Sequence, residues 1–415
     1  MKIDKSYNLF TFFTLYIAQS IPMSFFSSVL PILMRQGDYS LVAIALLKLI
    51  KLPWIMKFLW SPIIDRKCDS INDYKRWILG SEIVYALLIF VVAMLNLQTN
   101  FTLIIGLILL AFISSATQDI ATDALAARSF ERRDNSLLNS MQSMGSFTGS
   151  MVGGGFLLLL FQQIGWGKML PWVAIFVLLA LVPLQLNINL RLRERQNKSK
   201  ARPQDMYLFF KQKGIGKHVL FLFLFYSGVI GILSILRPLM VDLGYDMKEI
   251  GAMIGVFGTA TGIFCSFLSG LFIRKIGREK SRRIISLLIV ATASYFLWVH
   301  ASGNVHSLVA IMAGIALVWG TYGMASTIVY TTSMDIVREG REGTDFTMQI
   351  VITHLSSMIV AIICSRIGDI FGYDGLFALE ISLAVISFVF VWFYRPPFSM
   401  DKPEMEQIPN TSHNE

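Results

Sequence analysis

Apolar residues occur in twelve long runs along the chain, and short polar segments separate them. An α-helix rises about 1.5 Å per residue, so about 20 apolar residues cross the roughly 30 Å hydrocarbon layer of a bilayer. The pattern therefore predicts an all-α membrane protein with twelve transmembrane helices. The runs cover about 8–34, 41–64, 77–97, 101–127, 137–163, 167–190, 218–241, 247–272, 284–302, 307–331, 346–368 and 374–394.

A long polar segment divides these runs into two sets of six. The two sets resemble each other, because the loop after helix two (58–77) and the loop after helix eight (267–284) both leave a helix through a basic stretch. Internal repeats of this kind place a transporter's substrate site between the halves, near the membrane midplane. We predict an N-terminal six-helix bundle, a linker, a C-terminal six-helix bundle and a tail, at 1–190, 191–217, 218–394 and 395–415.

Hydrophobic residues make up 54% of the chain and charged residues 15%. Most of the 36 Lys and Arg residues fall in the tails, the linker and the loops after helices two, four and eight. Positive residues concentrate in cytoplasmic loops, so both termini and the linker are predicted to be cytoplasmic. This topology and contact with anionic membrane lipid account for the net charge of +9 without a nucleic-acid partner.

The sequence shows no pattern for metal, redox or ATP-driven chemistry. The three Cys make neither a disulfide framework nor a metal site, the five His lack ligand spacing, and no phosphate-binding loop occurs. His354 alone lies in the middle of a predicted helix, where it either titrates or bonds a neighbouring helix. We predict a protein that is not an enzyme and that needs no cofactor or metal.

Three segments carry a resemblance to known transporters: LPWIMKFLWSPIIDR at 52–66, QDIATDA at 118–124 and QSMGSFTGSMVGGGFLLLL at 142–160. With the repeated six-helix pattern, they resemble the major facilitator superfamily and, within it, the AmpG-type muropeptide permeases and the acetyl-CoA transporters. The resemblance implies proton-driven import of GlcNAc-anhydro-MurNAc, a muropeptide, across the bacterial inner membrane for cell-wall recycling. We expect a small-molecule substrate and a monomer.

Three other functions compete with this one. Import of another bulky polar anion, such as a siderophore or a CoA thioester, is compatible with the same fold. A membrane-bound transferase would need a catalytic His or Asp in a reactive loop, and the sequence shows no such loop. A non-transporting sensor would bind its ligand without counterflow.

Asp119 and Asp123 are predicted to carry the coupled protons. They are four residues apart, so they share one face of helix four. A charged side chain at the centre of a membrane helix costs at least roughly 2.5–3.5 kcal/mol unless it faces protein or water, which favours a functional role. For Asp123, nearer the membrane edge, a latch to a basic loop is the alternative.

Three lysines lie in helix two. In a continuous helix, Lys48 and Lys51 share a face, and Lys57 points to the opposite side from Lys48. Lys48 and Lys51 are predicted to bind substrate carboxylates, with exposure to periplasmic water as the alternative. Lys57 either pairs with Asp119 or Asp123, or extends to the inner membrane surface.

Four more residues are predicted to contact substrate. Arg237 precedes Pro238 in helix seven, and its guanidinium suits a carboxylate or phosphate; a structural pair with Glu380 or Asp242 is the alternative. Side-chain amides bond either sugar hydroxyls or neighbouring helices. The amides in question belong to Gln19, Gln142 and Gln349.

Charged residues at the inner helix ends are predicted to form a gate. Pairs across the two bundles close one side of a transporter in one state and break in the other. The predicted gating residues are Lys57, Asp65, Arg66 and Asp335. Two further features are expected to be structural. Glu82 is expected to pair with Lys75 or Arg76, with a role as proton carrier as the alternative. The glycines at every fourth position of helix five are expected to allow close helix contact: Gly145, Gly149 and Gly153.

Overall fold

The computed structural model describes residues 2–36, 47–96, 99–195 and 199–397, which are mainly helical. Within the described residues, the N-terminal bundle has six helices. They are α1 (Lys2–Gln36), α2 (short segments from Leu47–Lys51 to Ser61–Lys67), α3 (Ile71–Met94), α4 (Phe101–Ser129), α5 (Asn135–Met151, continuing through a π-helical segment into Leu157–Ile164) and α6 (Trp166–Leu179, then Val182–Leu186).

The C-terminal bundle repeats this arrangement. It contains α7 (Ile215–Leu224, then Ser227–Asp242), α8 (Met247–Ile276), α9 (Arg278–Ala301) and α10 (Leu308–Met334). The last helical stretch, Glu342–Phe393, holds two helices, α11 (342–371) and α12 (373–393). They meet at Gly372, whose φ of 67° lies in the left-handed region that glycine tolerates. The predicted fold class is confirmed.

Helix α2 is broken where the sequence pattern predicted one continuous helix. Residues 41–46 of that predicted span lie outside the described part. The remainder consists of short helical segments, and in two of them the second residue is a proline, Pro53 or Pro62. Proline lacks the N–H that a continuous helix requires and is favoured at a helix start. The breaks change the direction of each following side chain, so the helical geometry assumed for Lys57 does not apply.

The two bundles contact each other closely at the end that carries the linker, called here the linker face. A buried apolar cluster joins Phe12 and Ile120 of the N-terminal bundle to Met334, Phe346 and Ile350 of the C-terminal bundle. The opposite end of the molecule is called the far face. The linker itself contains a short helix, Gln204–Phe210. These contacts close the linker face in this conformation.

The glycine repeat of α5 packs directly against α1. A Cβ atom at Gly149 would lie 2.9 Å from the carbonyl carbon of Ser20 and 3.0 Å from the nitrogen of Ile21. Backbone cannot move aside as a side-chain tip can, so these glycines permit the close approach of the two helices. The packing interpretation of the repeat agrees with this geometry.

We expect Gly149→Ala to lower the free energy of unfolding by about 1–3 kcal/mol, the usual effect of overpacking. A lower midpoint of thermal unfolding in detergent would show it. Gly155→Ala is the matched control, because no atom lies within 4 Å of a Cβ placed there. Equal shifts in the two variants would contradict the packing role of Gly149.

Candidate functional site

Lys57 and Asp119 form a buried ion pair at the centre of the N-terminal bundle. The Lys57 side chain is only 1% exposed, and its ammonium contacts Asp119 Oδ2. The short turn at Lys57–Leu59 aims the side chain into α4. Gln19 Nε2 of α1 donates to Asp119 Oδ1 at 2.8 Å. Lys57 therefore pairs with a carboxylate and does not extend to the membrane surface.

Asp123 lies one turn further along α4 and is fully buried. Its Oδ1 accepts hydrogen bonds from the Tyr16 hydroxyl at 2.8 Å and from Gln142 Nε2 at 3.2 Å. Its Oδ2 has no hydrogen-bond partner among the described residues. The hydrogen bonds of Asp123 run into the bundle interior, whereas Arg128 at the end of α4 donates to the carbonyls of Asp69 and Arg193.

One aromatic side chain of the C-terminal bundle lies near these carboxylates, and it belongs to a larger group of rings. Tyr330 of α10 interacts electrostatically with Asp119 and Asp123. Tyr322, on the same helix, lies with its ring centroid 5.8 Å from that of Tyr226 in α7. Phe147 of α5 meets this surface from the N-terminal bundle, with its centroid 5.7 Å from Tyr322 and 5.9 Å from Trp319. We call Phe147, Tyr226, Trp319, Tyr322 and Tyr330 the aromatic surface.

The aromatic surface was not predicted from the sequence. Its available signal was weak: Trp319, Tyr322 and Tyr330 lie within about 80° of one another around an ideal helix, and they are half-buried. Aromatic residues make up 13% of this chain, so a helical stripe of three does not distinguish a site from ordinary packing.

His354 of α11 lies near the Lys57–Asp119 pair. The helical stretch Glu342–Phe393, which contains His354, packs against the α2 segments Leu52–Met56 and Lys57–Leu59. The imidazole is half-buried and interacts electrostatically with Lys57, Asp119 and Lys51. No hydrogen bond to His354 occurs in the described part of the chain, so the expected bond to a neighbouring helix is not seen. His354 therefore joins the candidate site from the C-terminal bundle.

The other basic candidates are solvent- or lipid-accessible. Lys51 and Arg237 are both exposed, and the side chain of Lys48 lies outside the described residues. The two carboxylates considered as structural partners of Arg237 have other contacts. Glu380 accepts from Cys364 Sγ at 2.8 Å, and Asp242 accepts from the Tyr373 hydroxyl at 2.5 Å.

Gln349 is placed differently from Gln142, although the internal repeat suggested equivalent positions. It is fully buried, and its Nε2 donates to the carbonyls of Ser333 at 3.1 Å and Asp345 at 3.0 Å. Its Oε1 lies 2.7 Å from His218 Nε2. Because these bonds occupy its amide inside the C-terminal bundle, we do not carry Gln349 into the proposed substrate site.

Asp65 binds the opposite bundle at the linker face. Its carboxylate accepts from the backbone nitrogens of Gly343 at 2.9 Å and Thr344 at 2.7 Å, and from the Thr344 hydroxyl at 2.6 Å. These groups belong to the first turn of α11, where backbone N–H groups lack helical partners and negative charge is favoured. Asp65 thus holds α2 against α11.

Asp335 makes a second contact between the bundles. It pairs with Arg278 and accepts from Asn135 Nδ2 at 3.0 Å, with Arg132 Nε 3.7 Å away. Arg195 of the linker adds a pair with Glu342 at 2.8 Å that the sequence analysis did not foresee. Arg66 is exposed, and the described residues include no ion pair to it.

Two six-helix bundles with ionisable side chains buried at their centre define a membrane transporter built on an internal repeat. The chain belongs to the Major Facilitator Superfamily, which it matches over residues 9–361. It is therefore a multi-pass membrane transporter. Ten of its described helical stretches are long and apolar enough to cross a membrane, and one of them, Glu342–Phe393, contains two helices.

Named relatives narrow the comparison. The AmpG 4 protein of Rickettsia conorii is 24% identical, over 92% of this chain and 95% of its own length. The anhydromuropeptide permease of Escherichia coli is 20% identical, over 89% of this chain and 76% of its own length. The resemblance to AmpG-type transporters is thus confirmed.

Solved structures share the fold. The human organic anion transporter MFSD10 superposes with a TM-score of 0.73 at 15% identity, covering 93% of this chain and 99% of its own. The proton:xylose symporter XylE, bound to 6-bromo-6-deoxy-D-glucose, reaches 0.70 at 11% identity, covering 94% of this chain and 96% of its own. At such identities the likeness concerns the fold alone.

Proposed function

We propose that this protein is a proton-coupled transporter that imports GlcNAc-anhydro-MurNAc from the periplasm across a bacterial inner membrane. The observation that carries the proposal is the buried Lys57–Asp119 pair beside Asp123. A buried ion pair is expensive to break, at about 3–5 kcal/mol when one partner is removed, and it adds little net stability over an apolar pair. Its presence at the centre of a transporter therefore favours a role in transport.

The pair can bind a proton and a substrate together. A proton that binds the Asp119 carboxylate cancels its charge and frees the Lys57 ammonium. Lys57 then binds the lactyl or peptide carboxylate of the muropeptide. Release of the substrate from Lys57 and of the proton from Asp119 into the cytoplasm restores the original pair. Gln19 and Gln142, which already contact the two carboxylates, are placed to bond sugar hydroxyls.

The aromatic surface supports a saccharide substrate. Small-molecule sites combine apolar and aromatic walls with a few polar groups that fix orientation. Here the N-terminal bundle supplies the charges and amides, and the C-terminal bundle supplies most of the rings. The names of the relatives, AmpG 4 and anhydromuropeptide permease, support the same substrate class.

In the proposed orientation, the linker face lies on the cytoplasmic side of the membrane. The contacts of Asp65 with α11, and of Asp335 with Asn135 and Arg132, then close the cytoplasmic side in this conformation. Entry of substrate from the periplasm would precede their opening, as alternating access requires.

Uptake of labelled GlcNAc-anhydro-MurNAc into proteoliposomes under an imposed pH gradient tests the proposal. We expect accumulation that collapses when a protonophore removes the gradient. Absence of uptake by well-folded protein would reject the muropeptide assignment. Uptake of a CoA thioester or siderophore without muropeptide competition would replace it.

Tyr322→Leu is expected to raise the KM for saccharide uptake about tenfold, whereas Tyr322→Phe should retain uptake. An aromatic contact is worth about 0.5–1.5 kcal/mol beyond its buried area, and 1.4 kcal/mol is a factor of ten. Tyr295→Leu is the control, because the Tyr295 hydroxyl donates to the Ala310 carbonyl within the C-terminal bundle. Equal KM values in Tyr322→Leu and the parent would remove Tyr322 from the site.

A further inference from the structure

Glu82 is a buried carboxyl group that the proposed mechanism does not use. It lies on α3, it is fully buried, and both of its side-chain oxygens have no hydrogen-bond partner among the described residues. The expected partners are placed elsewhere: Lys75 donates to the Asn187 carbonyl at 3.1 Å, and Arg76 is exposed. The predicted pairing of Glu82 with Lys75 or Arg76 is therefore wrong.

The surroundings of Glu82 contain further polar groups with unfilled hydrogen-bonding capacity. The Tyr85 hydroxyl, one turn away on α3, interacts electrostatically with Glu82 and lies beside Ser115 of α4. Gln118 lies one turn further along α4 on the same face as Ser115. In the described part of the chain, both amide atoms of Gln118 are buried without a hydrogen-bond partner, and the Tyr85 and Ser115 hydroxyls have none beyond each other.

Among the described residues, no cation offsets a negative charge at this position. The helices packed against α3 are α4 and α6. The charged residues of α4 near this level, Asp119 and Asp123, are acidic, and the Lys57 ammonium beside them is occupied by Asp119. In α6, the Trp166–Leu179 segment contains only Lys168, which is exposed. An isolated buried carboxylate is very costly, whereas a carboxylic acid both donates and accepts hydrogen bonds.

We propose that Glu82 is a second proton-binding site, which takes up and releases one proton in each transport cycle. The proton binds a carboxylate oxygen of Glu82, and the acid then donates toward the hydroxyl and amide groups around it. The inference that a second proton is transported rests on the proposed proton-coupled transport. Binding of a proton at Glu82 does not require a particular substrate.

Helix α4 links this site to the central ion pair. Gln118 lies one turn from Ser115 on α4, and it directly precedes Asp119, which contacts Lys57. A change of charge at Glu82 changes the hydrogen bonds open to Gln118 and the packing of α4 against α3. The position of Asp119 relative to Lys57 therefore changes when Glu82 binds or releases its proton.

Infrared difference spectroscopy of the purified full chain tests proton binding directly. We expect a carbonyl band of a buried protonated carboxylic acid in the parent, and its loss in Glu82→Gln, which keeps the shape and hydrogen-bonding capacity of the neutral acid. Tyr85→Phe should shift this band, because it removes the neighbouring hydroxyl. Glu380→Gln is the matched control in the other bundle and should leave the Glu82 band in place. Absence of a Glu82-dependent band would overturn the proposal.

Proton counting tests the role in transport. The number of protons per substrate, from the membrane potential at which net flux reverses, should fall by one in Glu82→Gln at retained thermal stability. If the number of protons per substrate is unchanged in Glu82→Gln, and the Glu82 carbonyl band responds to neither substrate nor pH, Glu82 is a purely structural acid and the proposal is overturned. A requirement for sodium in place of protons would also overturn it. If the parent transports no muropeptide, the proposed function fails, while the response of the Glu82 band to pH still decides proton binding.

Discussion

Asp119→Asn is expected to reduce proton-driven uptake by about 100-fold or more. The substitution removes the charge that neutralises Lys57, whose side chain is only 1% exposed. An uncompensated buried charge costs about 3–5 kcal/mol, and the Asn side chain cannot bind and release a proton. Both effects act against a cycle that depends on making and breaking the pair.

Two assays separate proton coupling from substrate binding. If Asp119 carries the proton, the Asn variant should lose accumulation under a pH gradient but keep exchange of labelled for unlabelled substrate. If Asp119 only positions Lys57, exchange should fall together with accumulation. Uptake at the parental level in Asp119→Asn would contradict the central role of the pair.

Stability controls guard against simple misfolding. The double variant Lys57→Gln/Asp119→Asn removes both charges and should unfold at a higher temperature than Asp119→Asn alone, because no unpaired charge remains. It should nevertheless fail to accumulate substrate. Asp374→Asn, at an exposed carboxylate that pairs with His300, should leave uptake unchanged.

Asp65→Ala is expected to open the linker face. The carboxylate accepts three hydrogen bonds from the first turn of α11, and bonds to a charged group contribute about 1.5–3 kcal/mol each. Loss of even one such bond moves a two-state equilibrium by about tenfold or more. The variant should therefore populate the conformation in which α2 and α11 separate.

Cys68 offers a native reporter of this opening. Its side chain is buried beside Asp65, and this burial, reinforced by the nearby carboxylates of Asp65 and Asp73, raises the pKa of the thiol to about 12. The thiolate is the reactive form, so alkylation of Cys68 should be slow in the closed state. We expect its rate in Asp65→Ala, followed by mass spectrometry of the Cys68 peptide, to rise at least tenfold.

A matched variant separates opening from a direct effect of charge. Thr344→Val removes one donor to Asp65 but keeps the carboxylate that raises the thiol pKa. It should accelerate alkylation several-fold, whereas Glu279→Gln, in an exposed pair with Arg283, should not. Acceleration in Asp65→Ala without any in Thr344→Val would attribute the effect to charge and argue against a gate.

Part of the candidate site could be predicted from the sequence, because a charged residue in an apolar helix is recognisable from its neighbours in the chain. Lys57, Asp119 and Asp123 stand out in this way, and their cost in a bilayer predicts that they face protein or water. The partner that each polar side chain contacts could not be predicted from the sequence. The contact between Asp65 and Gly343 joins residues 278 positions apart, and Gln349 bonds His218 although the repeat suggested a role like that of Gln142.

The sequence by itself determined the all-helical membrane fold and its division into two repeated halves, because hydrophobic length and internal similarity are properties of consecutive residues. The tertiary structure alone decided which charges meet. Proline breaks in α2 turn Lys57 toward Asp119, close α1–α5 packing places Gln19 and Gln142 near the carboxylates, and the meeting of two bundles brings one side chain of the aromatic surface near them. These contacts depend on helix direction and crossing, which a local pattern does not contain.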